Sequence, residues 1–124
     1  MEANELRLGN WVKVEFDYEV VKAINETTFW CALGGKGEGC MQLHSDVSPI
    51  FLDEEWLIKF GFKYRTDTGF NGWYSNIILG ESIRIFEVEN KWYKYSSAHI
   101  VIKYVHQLQN LYFALTGEEL TINN

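Results

Sequence analysis

Cys31, Cys40, His44 and Asp46 lie close together in the chain and are residue types that bind zinc. Their spacing argues against it, because the interval between the cysteines is too long for a zinc knuckle and no second close pair follows. A nucleophilic Cys–His pair forms in space rather than along the chain, and nothing in the sequence sets either cysteine in an activating context. The triplet Asp53-Glu54-Glu55 has the composition of a metal or acid/base site. A helix start there explains it fully: Asp53 caps free N–H groups, and the two glutamates sit at the positive end of the helix dipole. Gly34-Gly35-Lys36-Gly37-Glu38-Gly39 suggests a phosphate cradle but lacks the lysine–hydroxyl pair and the strand-to-helix setting of a P-loop, so it reads as a loop. The sequence therefore assigns no catalytic residue, no metal ligand and no cofactor.

One candidate binding surface remains. A helix is expected over Lys103 to Leu115, with the apolar stripe Val105, Leu108, Leu111, Tyr112 and Leu115. Its other side carries His106, Gln109, Asn110 and Phe113 at steps of three and four. A solvated face usually holds Lys and Glu, whereas an interface tolerates aromatics and uncharged donors. Two explanations fit: contact with a partner, or cover by the N-terminal strands.

The elements that would position these residues are legible in outline. Asn10 to Phe16 alternates as a strand, with Val12, Val14 and Phe16 on one face. A tight turn is expected at Asp17-Tyr18, then a return strand from Glu19 to Ile24 and a third strand over Thr27 to Cys31. The first helix begins at Asp53, faces Trp56, Leu57 and Phe60 inward, and stops at Gly61. An antiparallel meander follows: Phe62 to Thr66, Trp73 to Leu79, Ser82 to Val88 and Lys91 to Tyr95. Turn chemistry stands at 67–72, 80–81 and 89–90. A last strand, His99 to Ile102, leads into the C-terminal helix, which Gly117 ends.

At 124 residues and 47% hydrophobic, the chain is read as one domain, 1–124, with a strand-rich part at 1–48 and a helix–meander–helix part at 49–124. No apolar run reaches the length of a membrane span, and the acidic start is unlike a secretion signal, so the expected location is the cytoplasm. The net charge of −6 argues against a general nucleic-acid binder. Residues 56–113 nonetheless hold seven basic and four acidic groups, which keeps nucleic acid open as a partner.

Three stretches carry a resemblance: Leu6-Arg7-Leu8-Gly9-Asn10-Trp11-Val12; Pro49-Ile50 with Glu54-Glu55-Trp56-Leu57-Ile58-Lys59-Phe60-Gly61-Phe62; and the long run from Lys103 to Leu120. The last resembles the closing signature of a family of small uncharacterised proteins encoded in phages, prophages and other mobile elements of gut anaerobes. The chain departs from that family's proline and threonine cap at Phe51 and Asp53, and its glycine-rich segment with both cysteines is its own. The resemblance implies a context, a bacterial host cell, and carries over no activity, ligand or site residue. Separately, Gly9 to Val12 and Val20 to Ile24 are similar to the first hairpin of small SH3-like barrels.

The resulting expectation is an α+β fold: an N-terminal strand group that curls into a small SH3-like barrel or leans on the rest of the chain, a short helix, an antiparallel meander and a C-terminal helix packed on the sheet. The expected function is binding without catalysis, as a phage or mobile-element accessory protein. A protein partner or self-association is favoured over nucleic acid, with no membrane. The alternatives are a virion-associated or structural oligomer, and a small enzyme whose cleft uses His106.

Overall fold

Alternation along the chain sets the first hairpin. In the computed structural model, which describes residues 5–37, 39–65, 73–76, 84–88, 92–95 and 100–122, β1 (Trp11–Val14) pairs antiparallel with β2 (Asp17–Ile24). The turn is Glu15-Phe16, with Val14 opposite Asp17, two residues earlier than the sequence suggests. Phe16 is therefore not a third inward residue of a strand but stands at the hairpin tip. Glu15 there has φ 55°, a left-handed conformation that a non-glycine residue adopts at a cost.

β2 pairs with β3 (Thr28–Leu33) through a bulge between Val21 and Ala23, and β3 pairs with β4 (Cys40–Leu43). A short 3-10 turn, His44–Asp46, then leads to β5 (Val47–Ser48), which pairs with the far side of β1. The sheet order is β4-β3-β2-β1-β5, all antiparallel. Geometry explains why this sheet curls. Four strand spacings across a flat sheet come to about 19 Å, whereas the four Cα steps from Leu43 to Val47 reach at most about 14 Å. The two edges must bend toward each other, giving a half-barrel. Its inner face is the core of Leu6, Val12, Val14, Val21, Phe29, Cys31 and Val47, with Ile24 packed against it.

In the second half, α1 (Glu54–Lys59) is capped by Asp53, whose side chain accepts from the Trp56 N–H at 2.9 Å. Gly61 takes φ 83° just after the helix and donates to the Ile58 carbonyl. Trp56, Leu57 and Phe60 are buried, as their spacing implies. The meander follows as β6 (Phe62–Arg65), β7 (Trp73–Asn76), β8 (Arg84–Val88), β9 (Trp92–Tyr95) and β10 (Ile100–Ile102), in sheet order β10-β9-β8-β7-β6. Register places Tyr74 beside Ile85 and Tyr93 beside Ile102, and all four are buried. The turn segments expected at 67–72, 80–81 and 89–90 lie outside the described residues, as does His99.

The last helix, α2 (Val105–Thr116), ends at Gly117, which has φ 74° and donates to the Phe113 carbonyl at 2.8 Å. The fold is thus α+β with two antiparallel sheets. Contacts divide it into two compact units, Met1–Phe51 with Tyr104–Glu119, and Leu52–Lys103 with Leu120–Asn124. The sequence-based grouping put the C-terminal helix with the meander; its contacts place it with the strand group, against β1. Among the described residues no helix is long and apolar enough to cross a membrane.

Glycine is required at two places for different reasons. Gly117→Ala should cost about 1 kcal/mol through the left-handed conformation alone. Gly39→Ala should cost more, because a methyl group there would collide with the Cys31 carbonyl oxygen, with φ already at 86°. Denaturant titration of both variants orders the two effects.

Candidate binding surface

The polar side of α2 lies inside the N-terminal unit. His106 and Gln109 are 3% and 1% exposed. Gln109 Oε1 accepts from the Trp11 N–H at 2.8 Å, and Gln109 Nε2 donates to the Gly9 carbonyl at 3.0 Å. Its carboxamide therefore occupies the side of β1 that β2 leaves open at this point, since Asn10 O and Gly9 N are paired with Val21. Asn110 Oδ1 accepts from both Arg7 Nε and Asn10 Nδ2, each at 2.9 Å. Asn10 Oδ1 in turn accepts from the Arg7 N–H at 2.7 Å. The Arg7 guanidinium also bonds the Gln109 carbonyl and Glu119, and lies 4.3 Å from the centre of the Phe113 ring.

Of the two explanations for His106, Gln109, Asn110 and Phe113, these contacts match cover by the N-terminal strands rather than a surface awaiting a partner. Gln109, Asn110 and Phe113 meet their own N-terminal segment, His106 is buried, and only Phe113, 39% exposed, keeps substantial access to solvent. The expected apolar stripe is rotated to match. Val105, Leu108 and Tyr112 are buried, but Leu111 is half-buried and Leu115 exposed. The reason is pairing: Gly9 and Trp11 bring backbone groups to the helix that apolar side chains could not satisfy.

His106 stacks against Tyr104, with ring centroids 5.7 Å apart and planes 9° apart. Among the described residues its buried Nδ1 has no hydrogen-bond partner. Burial holds the imidazole below its ordinary pKa, partly offset by the Glu5 carboxylate. The zinc candidates do not converge. His44 Nε2 donates to the Asn25 carbonyl at 3.0 Å, its ring stacks on Phe29 at 4.1 Å, and Cys31 belongs to the core. Among the described residues no three His, Cys, Asp or Glu side chains gather into a group that could hold a metal.

One exposed apolar surface lies on the outer face of the half-barrel. Cross-strand partners share a face, so register reads the surface directly. Trp11, Val20 and Ala32 form one row; Ala23, Trp30 and Met41 form the next; Thr28 and Leu43 form a third; and Lys13 stands beside Tyr18. The opposite face holds the core residues Val12, Val21, Phe29 and Cys31, together with the buried Glu19. Val20 and Ala32 are covered, with Gly35 packed close to Val20 and Trp11. Tyr18, Met41 and Leu43 are exposed, and Trp11 and Trp30 are half-buried. Phe16, at the tip of the same hairpin, is 92% exposed. No carboxylate stands in these rows.

No known protein family, curated protein or solved structure matches the chain. The site must be read from its own residues. The aromatic face escaped the sequence reading because Trp11, Tyr18 and Trp30 look like ordinary strand residues until register shows which side they share. The one available signal was the turn: placing it at Glu15-Phe16 exposes Phe16 at once.

Two measurements probe the helix contact. Gln109→Leu should destabilise by about 2–4 kcal/mol, because it leaves a buried N–H and a buried carbonyl unpaired. For His106, whose folded pKa is depressed, the stabilising contribution is complete above the unfolded value of about 6.5 and is lost as pH falls below it. Wild type should therefore lose more stability between pH 7 and pH 5 than His106→Asn, as read from denaturation midpoints.

Proposed function

We propose that this chain is a non-enzymatic binding protein, and that the outer face of its N-terminal sheet receives a protein partner. The observation that carries the reading is the exposure of Tyr18, Met41 and Leu43, with the half-buried Trp11 and Trp30, on one side of a sheet whose other side holds the core, and of Phe16 at the tip of its hairpin. Aromatic residues and methionine are enriched where proteins meet, and charged residues are depleted at the centre of such patches. Rings and lysines also serve single-stranded nucleic acids, but those surfaces need a basic track. Here Lys13 is the only cation in the rows, in a chain of net charge −6.

An enzymatic role for His106 is disfavoured by its position, since an imidazole 3% exposed beneath its own chain has no access to substrate. The resemblance to mobile-element proteins supplies the setting of the proposal: an accessory protein acting in a bacterial host cell.

The test is a photo-cross-linking amino acid placed at Phe16 or Met41, both exposed, in cells producing the full chain. Discrete protein adducts are expected at both positions, and Tyr18→Glu or Leu43→Glu should remove them without unfolding the domain. Adducts that form equally from Glu118, away from the face, or that consist of nucleic acid, would count against the reading.

A further inference from the structure

Cys31 and Cys40 are the only two cysteines in the chain, and register makes them direct partners across β3 and β4. Residues directly opposite in an antiparallel pair have Cα atoms about 4.5–5.5 Å apart and side chains on the same face. A disulfide spans Cα separations of about 4.4–6.8 Å, so the backbone already has the spacing the bond requires. Gly39 allows this approach, because its missing side chain lets the start of β4 lie directly against the Cys31 peptide. The sequence alone gave no reason to pair them.

We propose that Cys31 and Cys40 are a redox-active pair that closes into an intramolecular disulfide across β3 and β4 when the protein meets a low-molecular-weight disulfide. The two thiols differ in access: Cys40 is exposed on an edge strand, whereas Cys31 is 1% exposed. Cys40 reacts first. Its thiolate attacks one sulfur of the small disulfide, forming a mixed disulfide and releasing one small thiol, which carries the proton that Cys40 gave up. Cys31 then attacks the Cys40 sulfur as thiolate, closing the protein disulfide and releasing the second small thiol with the proton from Cys31. Two protein thiols are oxidised and one small disulfide is reduced to two thiols. Burial, with the Glu19 carboxylate nearby, pushes the Cys31 thiol up to about 11. That keeps Cys31 inert toward reagents in solution and confines it to the partner held opposite. The closed form fastens edge strand β4 and encloses the loop between the two cysteines.

The experiment exposes the full-length protein to oxidised glutathione and reads intact mass and peptide maps over time. Wild type should lose two hydrogens, retain no free thiol, and yield a Cys31–Cys40 linked peptide from the monomer. Cys31→Ser should stop at a stable glutathione adduct on Cys40. Cys40→Ser, which alters only an exposed side chain, should leave Cys31 unmodified over the same period. The linked form should unfold at higher denaturant than the reduced one. A wild type that accumulates a lasting adduct on Cys40, or joins two chains through Cys40, overturns the pair. Modification of Cys31 in Cys40→Ser as fast as wild type closes overturns the order of attack. If Cys31→Ser does not fold, the wild-type peptide map and the Cys40→Ser comparison still decide both points.

Discussion

The carboxamide of Gln109 holds the beginning of β1, and the arrangement of the N-terminal unit depends on it. A side-chain amide carries the same donor and acceptor as a peptide group, so it can stand where another strand would. Gly9 turns its N–H toward β2 and its carbonyl away from it, and the Trp11 N–H also points away from β2. Left in an apolar environment, the outward groups would each cost about 1–3 kcal/mol. Gln109 satisfies both, which fixes the rotation of α2 and decides which helix residues are buried. Leucine at that position would suit the helix pattern better and the sheet worse.

The rest of the contact extends this solution. Arg7, Asn10, Asn110 and Glu119 form a connected set in which Asn110 accepts from two donors and the guanidinium is shared between the Glu119 carboxylate and a helix carbonyl. Networks of this kind favour one arrangement because a displaced member strands its neighbours. They also explain an odd composition. The helix face lacks the Lys and Glu of a solvated surface although it carries polar groups, because those groups serve its own chain.

The same contact joins two stretches that lie far apart in the chain. The segment from Leu6 to Val12 and helix α2 are about a hundred residues apart in sequence and bonded to each other in the fold. They act as two halves of one clasp. The aromatic face of the sheet and the cysteine pair lie on β1 to β4, and apart from Trp11 they fall outside both segments.

Local chemistry was enough for part of this protein. Asp53 as a cap, Gly61 and Gly117 as left-handed stops, the inward Trp56, Leu57 and Phe60, and the antiparallel meander all follow from residues within a few positions of one another. The first hairpin turn was misplaced by two residues, because a glutamate with positive φ gives no turn signal of the kind Gly or Asn gives. Three features required the tertiary structure. Periodicity identified α2 but not its rotation, which is set by backbone groups of β1 far away in sequence. Spacing separated Cys31 from Cys40, while the hairpin brings them face to face. Alternation marked the strands, but the side that meets the core is chosen by the curl of the whole sheet. That curl comes from the short link between β4 and β5, a constraint that exists only once both strands have found their partners.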